Sequence, residues 1–245
     1  MILKLSRLSL LVAASALVVG IQSEARSQTA APAPAARRER PAPVAQAAPA
    51  ATPSGPARVD AGSEADVDGF RSAKFGMNEA EVKAAITRDF GVKPDAIKEQ
   101  ANPGERTKVL IVKVPEVLPG GGTAEVSYVI GYQTKKLIQV SLSWSKATDD
   151  KMTPEQLFSN SSVLRSHFVG EGFKPDTIAT NMPIAGGLLM FRGSDAKDRT
   201  VMMILQGAMT QGTDNQRILT PSNLLLFYIA DAKAPDVYRL PAGSF

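Results

Sequence analysis

The sequence predicts an α+β fold: two units, each a helix followed by three strands of antiparallel sheet, after a disordered Ala/Pro-rich tail. Three observations support this prediction. Helix-start patterns occur at Asn78 and again at Thr153, three strand-like runs follow each of them, and a short motif recurs after each helix. We expect a globular domain over residues 69–245, with possible internal repeats over 69–146 and 147–245.

The first helix is predicted to begin at Asn78. Its side chain can cap the helix, and Glu81, three positions later, can bond back to the backbone of the cap residue. Gly91 supplies the left-handed residue that ends many helices. The apolar face between them consists of Val82, Ala85, Ile86 and Phe90.

Three strand-like runs follow, over residues 107–114, 125–132 and 137–145. In the third run apolar side chains alternate with serine and glutamine, as on a sheet with one buried and one solvated face. We therefore expect Trp144 to pack in the core. The alternating apolar positions are Ile138, Val140, Leu142 and Trp144.

The second half repeats this pattern. Thr153 is placed as a helix cap, and Pro154 occupies the first helical position, where its missing N–H costs nothing. Strand-like runs then follow over residues 188–192, 200–206 and 224–230.

A recurring motif, Gly-X-Lys-Pro-Asp-X-Ile, stands after each helix, at residues 91–97 and 172–178. Glycine, proline and aspartate are ordinary turn residues, so each copy can be explained by turn chemistry alone. Because both copies lie between a helix and three strands, the motif also indicates internal duplication.

Residues 1–27 are predicted to be a secretory signal peptide. Two basic residues come first, and the 14 residues from Leu8 to Ile21 carry no charge. Such a run is too short to span a bilayer core. Cleavage is expected after Ser27, with Ala25 as the second choice, and an uncleaved membrane anchor is the alternative. The expected location is periplasmic or secreted, with no transmembrane span in the mature chain.

Residues 28–68 are predicted to form a disordered linker. Within it, residues 28–57 contain 12 Ala and 7 Pro and no aromatic residue, which leaves too little apolar area to offset the entropy of ordering. The chain contains no cysteine. We therefore expect neither a lipid anchor, which needs a cysteine after the cleavage site, nor disulfides.

The net charge of +4 does not indicate a nucleic-acid partner. Residues 1–59 contain seven of the 28 basic residues but only two of the 24 acidic ones, so residues 60–245 hold 21 basic and 22 acidic side chains. A nearly neutral domain lacks the basic surface that binding to phosphates requires.

No catalytic, cofactor-binding or metal-binding residue is predicted. His167 is the only histidine, and zinc and haem sites of ordinary composition need more ligands. The acidic pairs Asp149/Asp150 and Asp195/Asp198 fall at turn-like positions, where solvated loops are the default. Two carboxylates distant in the chain could still form a glycosidase-type site.

The segment Phe75-Gly-Met-Asn-Glu-Ala-Glu-Val82, which leads into the first helix, resembles the opening of the SmpA/BamE family of outer-membrane assembly lipoproteins. The similarity covers about Phe70–Phe90 and the order of elements. A doubled unit of this type resembles the tandem arrangement of beta-lactamase-inhibitory proteins. The resemblance implies a small α+β module that binds other envelope proteins and catalyses nothing, and it assigns no functional residue.

We therefore expect a non-catalytic protein-binding module of the bacterial envelope, with an envelope protein as its partner. One alternative is a carboxylate-dependent hydrolase of cell-wall or polysaccharide material. The other is a carrier of lipid or another hydrophobic ligand, because six of the eight methionines lie in the second half of the chain. Those methionines could line an adaptable apolar groove or fill a sheet core that is buried on both faces.

Overall fold

The structure is a computed structural model, which describes residues 64–211, 217–241 and 243–244. These residues belong to one compact unit. The predicted signal peptide and the predicted linker up to residue 63 lie outside the described residues. No helix within the described ranges combines the length and the apolar character that crossing a membrane would require.

A short hairpin precedes a large antiparallel sheet. The hairpin consists of β1 (Gly69–Phe70) and β2 (Ala73–Lys74). The sheet strands are β3 (Lys98–Asn102), β4 (Thr107–Val114), β5 (Ala124–Ile130), β6 (Leu137–Ser145), β7 (Met182–Ile184), β8 (Gly187–Ser194), β9 (Thr200–Gln211) and β10 (Arg217–Ile229). Their order is β3-β4-β5-β6-β10-β9-β8-β7, so β6 and β10 pair at the centre.

Two helices, α1 (Glu79–Phe90) and α2 (Pro154–Val169), begin at the predicted caps. Asn78 and Glu81 form the reciprocal capping box, and Gly91 ends α1 at a φ of 65°. The side chain of Thr153 accepts the N–H of Gln156 at the start of α2. After each helix, the recurring motif forms a single 3₁₀ turn (Pro94–Ala96 and Pro175–Thr177).

The predicted arrangement of two helix-plus-three-strand units is wrong. Each helix is followed by four strands, and all eight strands join in one sheet, so the described fold is mostly β. The sequence gives no clear signal for β3 and β7, because β3 has no apolar side chain beyond Ala101 and β7 is three residues long with Pro183 in the middle. Both are edge strands, where short length, charge and proline are tolerated.

One face of the sheet packs against both helices and the β1–β2 hairpin. Both helices share one buried cluster with the side chains of this sheet face. Their contributions are Val82 and Ile86 from α1 and Leu157 and Phe168 from α2. Phe70 of the hairpin packs against this cluster. Trp144 is 1% exposed within the cluster, as the alternation on β6 predicted.

A ring of alternating charges ties α1 to the edge strand β3. Lys108 contacts both Glu79 and Glu99 (2.9 and 2.8 Å), and Lys83 also contacts both carboxylates. Hydrogen bonds from Lys108 and Lys83 lower the pKa of Glu99 from 4.5 to about 2. Hydrogen bonds from the same two lysines lower the pKa of Glu79.

These shifts predict acid-induced loss of stability. A carboxyl whose pKa is lowered by folding stabilises the folded state fully above about pH 4.5, and this contribution is lost as the pH falls through about 2. We expect the urea midpoint to fall across this window and Glu99→Gln to flatten the fall. Glu64→Gln is the matched control, because Glu64 makes no ion pair within the described ranges. An unchanged pH profile in Glu99→Gln would contradict the prediction.

Candidate functional site

The face of the sheet opposite α1 and α2 is covered by neither helix, and we call it the helix-free face. Strand side chains alternate between the two faces of a sheet. A strand residue that directly precedes or follows a residue of the helix-side core therefore points to the helix-free face. On β10, for example, Leu224 and Leu226 join the helix-side core, whereas Leu225, Phe227 and Ile229 belong to a second apolar cluster.

The half of the helix-free face formed by β7 to β10 is apolar except for Arg192, which pairs with Met202. Leu189, Met202, Ile204 and Phe227 are between 1% and 9% exposed. Met182, on the edge strand, is 49% exposed. The partly buried neighbours of the cluster are Ala179, Ile184, Leu225 and Ile229.

The methionine-rich strand β9 contributes to both faces. Met203 packs in the helix-side core, and Met202 packs in the second apolar cluster. The continuous apolar run of β9 therefore reflects burial on both sides, which is one of the two explanations that the sequence left open.

A polar stripe crosses the middle of the helix-free face along β6, formed by Gln139, Ser141, Ser143 and Ser145. The Ser143 hydroxyl donates to Asn223 Oδ1 at 3.0 Å, and Asn223 Nδ2 donates to Gln206 Oε1 at 3.4 Å. This row links the three central strands. Ser141 stands opposite Ser127 of β5. The stripe thus offers neutral hydroxyl and amide groups that both donate and accept hydrogen bonds.

On the other half of this face, β4 presents two apolar side chains followed by a lysine. Val109 pairs with Val129, and Ile111 pairs with Ser127. Farther along, Lys113 stands opposite Glu125, a favourable cross-strand pair of opposite charges. The charged groups of this face lie away from its central strands, with Lys98 on β3 and Arg192 on β8. Lys113 lies near one end of β4.

A two-stranded arm extends the face beyond its neighbours. The pairing of β8 with β9 stops at Gln206, and the pairing of β6 with β10 stops at Asn223. Beyond these points, β9 and β10 continue to pair with each other. Ile218 stands opposite Thr210 and is 51% exposed. Thr210 and Ile204 are an even number of positions apart on β9, so their side chains point to the same face. Ile218, which pairs with Thr210, therefore also points to the helix-free face.

The acidic pairs noted in the sequence stabilise turns. The Asp149 carboxylate accepts the N–H groups of Thr123 and Lys151 at 2.9 and 3.1 Å. These backbone hydrogen bonds lower the pKa of Asp149. Asp198 contacts Lys174 and Lys233, and hydrogen bonds from these two lysines lower its pKa to about 2.

Asp195 does not lie in a solvated loop, because it is 1% exposed. It accepts the backbone N–H groups of Val67, Lys197 and Arg199, each at 2.9 Å, and the guanidinium of Arg199 at 2.8 Å. Asp195 thus attaches the segment before β1 to the turn between β8 and β9.

His167, the only histidine, is solvent-exposed at 58% and lies 3.2 Å from Glu171. Its ring centroid is 5.0 Å from that of Phe168, at the edge of the apolar face of α2. In the part of the chain that the structure describes, no three His, Asp or Glu side chains are grouped to hold a metal ion.

Sequence reasoning identified the polar side of β6 but not the face as a whole. The alternation on β6 indicates one solvated face, whereas the continuous apolar runs of β9 and β10 do not indicate which side chains face which way. Comparison of the chain with protein-family models, with curated proteins and with solved structures finds no match.

Proposed function

We propose that the protein is a non-catalytic binding module of the bacterial envelope that docks a partner protein on the helix-free face. The observation that carries the proposal is the composition of this face. The accessible apolar side chains of β7 and β10, those of Met182 and the half-buried Leu225, adjoin a stripe of neutral hydroxyl and amide groups on β6, and neither helix covers them.

The chemistry of the face favours a partner with a projecting apolar loop. The cores of protein interfaces are poor in charge and rich in apolar contacts, with hydrogen bonds that fix the register. Leu225 and Met182 offer the apolar contacts, while Ser141 and Ser143 can bond to the backbone amides of such a loop. Ile218 on the arm would contact one side of the docked segment.

Two further observations favour binding over catalysis. The acidic residues that could have formed a hydrolase site, Asp149, Asp195 and Asp198, are bonded to backbone amides or to lysine and arginine side chains. The envelope location rests on the predicted signal peptide and on the resemblance of the segment around Met77 to envelope assembly proteins.

The test is a site-specific photo-crosslinker placed at Ser141 in the exported protein. Ser141 is half-buried at the centre of the face, so we expect it to yield an adduct with a protein partner. The same crosslinker at Ser159, which is exposed on α2, is the matched control and should yield none.

A substitution gives the quantitative prediction. Ser141→Arg places a long cationic side chain in the middle of the face, and we expect it to weaken binding of the crosslinked partner at least about tenfold. Ser159→Arg should bind normally, which controls for the added charge. Equal affinities of the Ser141→Arg and wild-type proteins, measured by titration of the purified partner, would contradict the proposal.

A further inference from the structure

The chain after β10 crosses one end of the sheet and is attached to two turns. The backbone N–H groups of Gln133 and Thr134 donate to the Asp236 carboxylate, both at 2.9 Å. The Tyr132 N–H donates to the carbonyl of Asp236 at 2.9 Å. Farther on, the Tyr238 N–H donates to the carbonyl of Glu105 at 2.8 Å.

This attachment places two tyrosines and two cations together. The rings of Tyr132 and Tyr238 meet edge to face at 5.6 Å between centroids. The Arg106 guanidinium lies 3.6 Å from the Tyr238 centroid and 5.8 Å from that of Tyr132. Lys135 Nζ lies 5.4 Å from the Tyr132 centroid. Both cations belong to turns at this end of the sheet.

Arg239 and Leu240 complete the surface. Both are exposed, and the exposure of Leu240, at 59%, is the largest among the exposed large apolar residues of the described ranges. We call the set of Arg106, Tyr132, Lys135, Tyr238, Arg239 and Leu240 the basic-aromatic end.

The acidic groups at this end are bonded to the protein itself. Asp236 accepts two backbone N–H groups and the Thr134 hydroxyl, and Glu105 accepts the Asn102 amide at 3.0 Å. In contrast, Arg106 and Arg239 make no ion pair within the described residues, and neither does Lys135. Arg239 and Lys135 interact electrostatically with Glu105 and Asp236 without a direct ion pair. The three cations outnumber these two carboxylates, so positive charge remains for an external anion.

We propose that the basic-aromatic end binds the surface of a membrane that contains anionic phospholipids. Lysine and arginine near a membrane are attracted to anionic head groups. Tyrosine rings suit the interface, where one side is apolar and the other wet. Leu240 would enter the boundary between head groups and acyl chains. A soluble anionic polymer would engage the cations but would leave Leu240 in water, so the exposed leucine favours a membrane.

The experiment measures binding of the mature chain, residues 28–245, to vesicles by sedimentation. Vesicles of phosphatidylglycerol and phosphatidylcholine are compared with pure phosphatidylcholine vesicles, at low and high salt. We expect binding to the anionic vesicles only, weakened by salt because exposed charges are screened.

Three single variants test whether the basic-aromatic end is responsible for vesicle binding. Lys135→Asn and Arg239→Gln should each weaken binding about fivefold, the effect of one basic residue at an anionic leaflet. Asparagine is chosen because Lys135 has a φ of 54°, which asparagine tolerates. Leu240→Ser should weaken binding about tenfold, because the apolar contact is lost. The double variant Lys93→Gln/Lys98→Gln, at the opposite end of β3, is the matched control and should bind normally.

Equal binding by all variants, or no preference for anionic vesicles, would overturn the proposal. Unchanged binding of Leu240→Ser, with competition by soluble polyphosphate, would also overturn it, since that result indicates an anionic polymer as the ligand. A variant that unfolds at the same temperature as the wild-type protein has kept its fold, and thermal unfolding of each variant checks this. These outcomes are independent of the partner-docking test, because Lys135, Arg239 and Leu240 lie outside the helix-free face.

Discussion

Replacing Asp195 with alanine is expected to lower the free energy of unfolding by about 3–5 kcal/mol, the usual cost of removing one partner of a buried ion pair. The carboxylate is 1% exposed, and the side chain of its partner Arg199 is 15% exposed. Without it, three backbone N–H groups, those of Val67, Lys197 and Arg199, lose their acceptor. Among the described residues, the half-buried Arg199 guanidinium keeps only its contact with the exposed Asp66. Urea unfolding followed by circular dichroism measures the loss.

Asp198 provides the matched control, since it lies in the same turn but is exposed and paired with lysines. Exposed ion pairs contribute little to stability because solvent screens them, so Asp198→Ala should shift the urea midpoint far less than Asp195→Ala. The Asp195 variant should also become sensitive to proteases between residues 64 and 68, because Val67 loses its attachment. Equal losses in the two variants would contradict this role of Asp195.

Replacing Trp144 with alanine is expected to cost about 3–5 kcal/mol, as for other buried aromatic side chains. Trp144 is 1% exposed on the helix side of β6, the strand that carries the polar stripe on its other side. Its indole Nε1 makes no hydrogen bond to the described residues. Trp144→Phe should therefore cost much less, because it keeps most of the apolar contact and removes a buried donor without a partner.

Phe158→Ala is the control for aromatic removal at the surface. Phe158 is 41% exposed on α2, and we expect a loss below about 1 kcal/mol, since much of its area is already in water. Thermal or urea unfolding of the three variants gives the comparison. A loss for Trp144→Phe as large as that for Trp144→Ala would show that the indole N–H contributes a stabilising contact.

Elements with a local signal could be predicted from the sequence. The capping box at Asn78 and the cap at Thr153 depend on residues within one turn of a helix. The strands β4 and β6 have the bounds that their apolar patterns predicted, Thr107–Val114 and Leu137–Ser145. The edge strand β3 was missed because it carries no apolar side chain beyond Ala101, and only its pairing with β4 makes it a strand.

The candidate site depended on contacts between distant residues. The row Ser143–Asn223–Gln206 joins three strands, and its first two members are 80 positions apart in the chain. No local pattern identifies such neighbours. The basic-aromatic end was likewise hidden, because Arg106, Tyr132 and Tyr238 come from two turns and the C-terminal segment.

By itself, the sequence determined the two helix starts, most of the sheet strands and the burial of Trp144, because hydrogen bonds and side-chain periodicity within a few residues specify them. Only the tertiary structure decided that the strands form one sheet rather than two. That choice depends on the pairing of β6 with β10, from Asn223–Ser145 to Ile229–Gln139. Backbone groups pair with whichever strand edge the folded chain brings alongside, and this partner is not encoded in the local pattern. The same pairing joins the apolar strands to the polar stripe and so creates the helix-free face.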